Sequence, residues 1–442
     1  MPKIAMIGAG SLIFSARLMW DILTFPELSD STIALMDIDE QRLGLIARLA
    51  RKMVDQNRWK AKIESTIDRR EALQGANYVI VMIEVGGLNA YLHDIQIPDK
   101  YGINQNVGDT IGPGGVFRAL RTVPVMIDIC RDMERICPDA LLINYTNPMA
   151  INCWAMNRAT KIKNVGLCHS VQGTAQQLAA YMQIPYKELS YWVAGINHMA
   201  WFLELRHKRE DVYPLLRKVA QDPNLWDRVI GGYREFKMKD IVRFKIMEHF
   251  GYFVTESPYH MSEYVPYFRK NQQQIEQLGV SFRWWLEYKQ SPDVLLQGIE
   301  QQIAGKKVIE LEKSEEYASY IIHSLETGIP CRINGNIENR GLITNLPPGC
   351  CVEVPCLVDR EGIHPCYIGD LPPQCAALNR TNINVQEMAV KAALNGHKDA
   401  IYQAVALDPL SSSLLNLEQI RDMVDEMLEA EAECLPQFLR TQ

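Results

Sequence analysis

The strongest constraint on this chain lies at its start. A short apolar run, Lys3–Ile7, ends in Gly8-Ala9-Gly10-Ser11 and passes directly into a helical repeat, Leu12–Leu23, with apolar residues at Leu12, Phe14, Leu18, Met19 and Ile22. A second apolar run, Thr32–Met36, then ends at Asp37-Ile38-Asp39. Strand, glycine-rich turn, helix, strand and acid in that order form the fingerprint of a dinucleotide-binding unit. The glycines let the backbone turn tightly and approach a pyrophosphate, and the helix N-terminus supplies N–H groups and the positive end of its dipole. A carboxylate at Asp37 can accept hydrogen bonds from both ribose hydroxyls and would repel a 2′-phosphate, so NAD⁺ is favoured over NADP⁺. Gly8, Gly10, Ser11 and Asp37 are thus the candidate cofactor-binding residues. Ile13 stands where a third glycine is usual, and the competing reading is an ordinary turn followed by an exposed acid.

The alternation continues. Glu40–Gln56 reads as an amphipathic helix, Lys62–Ile67 alternates like a strand, and Asn77–Ile83 is a Val/Ile-rich strand of the fully buried kind. Val123–Ile136 is helical, and Ala140–Tyr145 and Asn164–Cys168 are further buried strands. Such a series predicts an α/β fold with a Rossmann-type, doubly wound parallel sheet. After Gly195 the pattern changes. Ser190–Ile196 and Trp201–Arg206 read as antiparallel strands, and Asp240–Phe250 and Asn271–Leu286 as helices. Ile329–Val358 mixes short strands and turns, and Val385–Ala406 and Leu417–Glu433 read as closing helices. The expected organisation is an NAD-binding domain over 1–195 and a tightly packed α+β lobe over 196–442.

Charge narrows the class. The formal net charge is −7, from 46 basic and 53 acidic residues, which argues against a nucleic-acid partner. No apolar stretch of about 18 residues appears, so no membrane span is expected. The 11 cysteines are odd in number and lack paired spacing, and no secretory signal is visible, so a reducing cytoplasm is the expected location. Cys350, Cys351 and Cys356 cluster, but adjacent cysteines suit four-coordinate zinc poorly.

Three polar segments sit at predicted strand ends, where open α/β sheets bind ligands. They are 144–148 (NYTNP), 168–171 (CHSV) and 195–199 (GINHM). A Cys168 thiolate and a neutral His198 imidazole are good first-row metal ligands and would leave positions for substrate oxygens. The competing reading makes Cys168 a small buried residue and His198 a hydrogen-bonded loop residue. Gly108-Asp109-Thr110, with Gly112-Pro113-Gly114-Gly115, Arg118 and Arg121, reads as a mobile functional loop entering a helix. His260, Glu263 and Tyr264 share one short segment, where Tyr264, Tyr267 and Phe268 have packing as their alternative role.

Together these segments resemble glycoside hydrolase family 4, the NAD⁺- and metal-dependent glycosidases. The resemblance spans nearly the whole chain. It includes the IGAGS start, LMDID, the VGG at 85–87, DTIGPGG, FRALRT, NYTNP, CHSV and GINHM, and runs on through 336–349, 352–363 and 368–387. It implies a fold similar to lactate and malate dehydrogenases, with Cys168 and His198 as ligands of Mn²⁺ or another divalent metal. It also implies that Asn147 contacts substrate beside the nicotinamide and so joins the cofactor-binding residues, that Asp109 lies near the reacting sugar carbons, and that Tyr264 is a candidate base for the C2 proton. Arg118 and His169 join Asn147 as candidate substrate-binding residues. Within the family, Cys-Asn-x-Pro looks like the phospho-sugar enzymes, whereas Cys168-His169-Ser170-Val171 looks like the α-galactosidases acting on melibiose-like sugars. The implied route is oxidation at C3, deprotonation at C2, elimination and water addition, outside the usual two-carboxylate scheme. A homodimer or homotetramer is implied as well. The alternatives are a uronic acid or glucoside as substrate, a sugar or hydroxy-acid dehydrogenase with net NADH release, and a non-catalytic NAD sensor.

Overall fold

In a computed structural model of the chain, which describes residues 1–222, 225, 239–281, 284–309 and 312–436, the early strands are short and, apart from the partly exposed edge strand 62–66, mostly buried. These are β1 (Lys3–Ile7), β2 (Thr32–Met36), β3 (Lys62–Thr66), β4 (Tyr78–Val81), β5 (Leu141–Asn144) and β6 (Asn164–Gly166). They pair in parallel in the order β3-β2-β1-β4-β5-β6, the doubly wound order of dinucleotide-binding sheets. Continuous apolar runs such as Tyr78–Val81 fit strands covered on both faces by helices. The helix Glu40–Asn57 starts where Asp39 accepts from the N–H groups of Gln41 and Arg42, both at 3.0 Å.

The sheet does not stop at β6. β7 (Leu189–Ile196) and β8 (Met199–His207) form the expected antiparallel pair, with β9 (Glu210–Asp211) beside β8. Much later in the chain, β10 (Cys331–Glu338) and β11 (Cys351–Asp359) insert between β6 and β7, and β12 (Gly362–Pro365) pairs with β11. Asn336 pairs with Gly166 on one side, and Glu353 pairs with Gly195 on the other. The division expected after residue 195 thus falls within β7.

Several predicted boundaries shift for identifiable reasons. The helix expected at Val123–Ile136 begins at Gly112, because Pro113 suits a first helical turn. Gly114 and Gly115 lie so close to the preceding loop that a Cβ would meet the Gly108 carbonyl oxygen at 2.4 Å and the Thr110 carbonyl carbon at 2.5 Å. The single helix expected over Val385–Ala406 is two, Pro373–Asn395 and Lys398–Leu407, parted at Gly396. Of the expected helix Asn271–Leu286, Gln272–Gln277 is helical, 282–283 lie outside the described residues, and a new helix starts at Trp284. The helix Leu417–Ala430 spends its apolar stripe within its own chain. Ile420, Met423, Val424 and Met427 are buried against the helices Gly87–Lys100 and Lys398–Leu407, so this stripe is not available as interface area.

Candidate active site

The glycine turn forms as its sequence requires. The N–H groups of Gly8 and Ala9 both donate to the Met36 carbonyl, at 3.0 and 2.9 Å, closing the loop over the end of β2. Gly8 has φ +87°, and a Cβ there would lie 2.5 Å from the Met82 carbonyl oxygen, so only glycine fits. The Asp37 carboxylate accepts from the N–H of Gly10 at 2.7 Å and of Asp39 at 2.9 Å. Ser11 accepts from the Phe14 N–H at 3.3 Å, where the first helix, Phe14–Leu23, begins. The residues fit a dinucleotide: a side-chain-free turn, a helix N-terminus and an acid at the end of β2.

The second and third motif segments meet across the sheet. Cys168 follows β6, and His198 occupies the turn between β7 and β8. The insertion of β10 and β11 sets their separation, and Cys168 Sγ lies 3.3 Å from His198 Nε2. His198 holds left-handed backbone at φ +61°, and so does Glu256 at φ +77°. Non-glycine residues in this region cost of order 1–3 kcal/mol and persist where the surroundings hold them. For Glu256 the holders are visible. The buried Arg243 guanidinium donates to its carbonyl, and the Thr174 hydroxyl accepts from its N–H at 3.0 Å.

Asp109 arrives from a loop that is held in place, contrary to the mobility its glycines led us to expect. The Glu263 carboxylate accepts from the N–H groups of Asn106, Val107 and Gly108, the last two at 3.0 and 3.3 Å. Asn147 Nδ2 then donates to Asp109 Oδ2 at 2.8 Å, and His260 Nε2 lies 3.8 Å from Asp109 Oδ1. His260 Nδ1 is also 3.8 Å from a Glu256 oxygen.

Asp109, Asn147, Cys168, His198, Glu256 and His260 line a cavity of about 470 Å³ at the carboxyl ends of the parallel strands, together with Glu84, Tyr91, Arg118 and His169. A larger, more open cleft of about 1130 Å³ lies at the opposite ends of β4, β5 and β6 and contains none of the candidate site residues. Of the candidate residues, Asp109, Arg118, Asn147, Cys168, His169 and His198 line the smaller cavity; Tyr264 does not. Tyr264 is buried, and its hydroxyl donates to Thr110 Oγ1 at 2.8 Å. Glu256, Glu84 and Tyr91 carried no assigned role in the sequence, and His260 only a place in a segment. Their shared signal is position: Glu84 shortly after β4 and Glu256 shortly after the bridge that Val254 forms with Trp201 of β8.

The electrostatics of the cavity are divided. Burial would raise Asp109, but the close approach of the His260 imidazole and the charges of Arg118 and His260 outweigh it and hold the carboxyl well below its usual range. Burial would lower His260, but Glu256 and Asp109 lift it to about 9. Burial, aided by the charge on His260, takes His198 down to about 4, leaving a neutral imidazole at pH 7. Burial pushes the Cys168 thiol well up, and the Glu353 and Glu256 carboxylates add to it. A bound divalent cation reverses that, since a coordinating thiol is deprotonated outright. Donor atoms of His198, Glu256 and His260 lie within 4.8 Å of one another. His198 Nδ1, Glu256 Oε2, His260 Nε2 and Asp109 Oδ1 are buried without a hydrogen-bond partner. Soft sulfur, imidazole and carboxylate donors around unsatisfied buried atoms fit a first-row divalent metal.

The chain is similar to known proteins over nearly its whole length. Residues 3–184 match the family 4 glycosyl hydrolases, and residues 193–411 match the C-terminal domain of the same family. The chain is 42% identical over 444 residues to an α-galactosidase of Bacillus subtilis (strain 168), covering 99% of this chain and 100% of that protein. It is 39% identical over 454 residues to an α-galactosidase of Rhizobium meliloti (strain 1021), covering 99% and 89% respectively. A 6-phospho-α-glucosidase from gut microorganisms, solved in complex with NAD and Mn²⁺, shares the fold with a TM-score of 0.84 at 19% identity, covering 98% of this chain and 99% of that one. The chain belongs to glycosyl hydrolase family 4.

Proposed function

We propose that this protein is an NAD⁺- and divalent-metal-dependent α-galactosidase that cleaves non-phosphorylated α-galactosides such as melibiose. The observation that carries the proposal is the meeting of Cys168 and His198 at 3.3 Å, beside Asn147 and Asp109, at the carboxyl ends of a Rossmann sheet. When bound, NAD⁺ supplies a hydride acceptor for sugar carbon 3, and the metal supplies a Lewis acid that acidifies the neighbouring C2 proton. Gly8, Gly10, Ser11 and Asp37 hold the dinucleotide in this reading, and Cys168 and His198 hold the metal, with Glu256 and His260 beside them. Asn147 and Asp109 orient the sugar, and Arg118 and His169 line its binding space. The working division is residues 1–195 for the dinucleotide and 196–442 for completing the site. A reducing cytoplasm is part of the proposal, since all 11 cysteines are free.

Removal of the C2 proton falls to the chain's own residues, and two groups compete for it. The family resemblance names Tyr264. Its burial favours the neutral phenol, and its hydroxyl is turned to Thr110. Asp109 lines the cavity, and Tyr264 does not. We assign the proton acceptor to Asp109 and give Tyr264 the positioning of the 109–110 loop. Removing the acceptor costs about 10²–10⁴ in rate. Asp109→Asn is expected to fall in that range, with Tyr264→Phe losing less. The reverse ranking returns the role to Tyr264.

The function is tested with a glycoside panel in the presence of NAD⁺, Mn²⁺ and a thiol reductant. The α-galactoside is expected to be cleaved with no net change at 340 nm, and a 6-phospho-α-glucoside to be left intact. A steady rise at 340 nm identifies a dehydrogenase instead, and preference for the phosphorylated sugar by tenfold or more, about 1.4 kcal/mol, reverses the substrate assignment.

A further inference from the structure

We propose that Glu84 is a specificity-determining residue: by pairing with Arg118, the one lysine or arginine lining the sugar cavity among the described residues, it keeps the cavity for sugars that carry no acidic group. The proposal rests on the reading above that this cavity takes a glycoside. Arg118 Nη2 lies 3.5 Å from Glu84 Oε1, and the two side chains are only 13% and 29% exposed. Both line the cavity. The guanidinium also lies 5.9 Å from the centre of the Tyr91 ring, on the same wall. Tyr91 is itself anchored, its hydroxyl donating to the Val107 carbonyl at 2.9 Å in the segment leading to Asp109.

This pair is built into the fold. Glu84 leaves the end of β4 two residues before Gly86, whose φ is +86° and whose Cβ, if present, would lie 2.6 Å from Ala90 Cβ. The Arg121 guanidinium donates to the Val85 carbonyl at 3.3 Å, while forming a two-pronged pair with Asp94 at 2.9 and 2.7 Å. The backbone that carries Glu84 is therefore fixed from behind by a buried ion pair. Burial would lower Arg118, but Glu84, Asp109 and Asp94 outweigh it, so the guanidinium stays charged and matched by carboxylates.

The chemical consequence follows from charge. An uncharged sugar meets Arg118 and Glu84 as a paired donor and acceptor for hydroxyl groups. A uronate or sugar phosphate needs an arginine free to bind it in two-pronged fashion, and here it meets the Glu84 carboxylate as well. A like charge brought into a site is a specificity device in its own right. Removing the Glu84 charge frees Arg118 for an anion.

The experiment compares wild type with Glu84→Gln on the p-nitrophenyl α-galactoside and α-galacturonide, with NAD⁺, Mn²⁺ and a thiol reductant. The ratio of kcat/KM for galacturonide over galactoside is expected to rise at least tenfold in Glu84→Gln and to fall back in Glu84→Gln/Arg118→Gln. A folded, NAD⁺-binding Glu84→Gln whose ratio stays within twofold of wild type overturns the inference. Should that variant not fold, Glu84→Ser carries the same expectation and the same refutation. Titration of free galactose and galacturonate into wild type and variant gives the affinity ratio without turnover. A wild type that turns over no galactoside therefore defeats the proposed function, while the affinity ratio still decides the role of Glu84.

Discussion

Cys168 shows how one residue can be ordinary in sequence and decisive in space. A lone thiol after a short strand reads as packing until His198 is brought to its sulfur at 3.3 Å. Cys168→Ser is expected to weaken Mn²⁺ binding at least tenfold, measured by calorimetry on the apoenzyme, and to reduce activity in proportion. Air oxidation should inactivate the wild type, and a reductant should protect it. His260 makes a second prediction at this scale, about stability. Its pKa rises from 6.5 in the unfolded chain to about 9 in the fold. The metal-free folded state therefore binds an extra proton between those values, and stability falls as pH rises through that window. The contribution is complete below about 6.5 and lost above about 9, so urea unfolding should show a drop over this range that His260→Gln lacks. Glu263 offers a third test. In sequence it only shares a short segment with His260 and Tyr264. In the fold its carboxylate accepts from three loop N–H groups. Glu263→Gln should lower kcat about tenfold or more through the misplaced Asp109, leaving NAD⁺ affinity within twofold.

Elements were legible where the hydrophobic period was strong. The parallel strands and the β7–β8 pair stand where their sequence patterns predict: apolar runs for the buried strands, which admit little else, and alternation for the half-exposed edge strand β3. The helix Gly112–Ile136 was half hidden, since glycines mark loops in sequence while here they allow the helix to press against Gly108 and Thr110. The insertion of β10 and β11 between β6 and β7 was not legible, because no local pattern encodes a pairing between Gly166 and Asn336. That insertion creates the spacing of Cys168 and His198, so the site could be assembled from sequence only through resemblance. Glu256 escaped for a related reason: its position depends on Arg243 and Thr174 holding a left-handed turn. The glycine turn gives the test at this scale. A side chain at Gly8 would drive a Cβ to 2.5 Å from the Met82 oxygen at positive φ. Gly8→Ala should destabilise the fold by about 1 kcal/mol or more and cut NAD⁺ affinity, seen as a lower Tm that added NAD⁺ restores less than in wild type.

For the whole molecule, one continuous sheet joins the strands that carry the glycine turn to the strands that present His198. Assembly beyond the single chain is expected to be a homodimer or homotetramer, and light scattering at assay concentration should find it. A fully active monomer would contradict that expectation. The helix Leu417–Ala430 is excluded as the source of a large apolar contact, its stripe being buried within the chain. Hydrolysis through loss and return of the sugar's C2 proton, by groups on the cavity wall and with NAD⁺ returned unchanged, is read by turnover of an α-galactoside in D₂O, with the released galactose followed by NMR. Deuterium at C2 is expected. Normal hydrolysis with protium retained at C2 rules this route out.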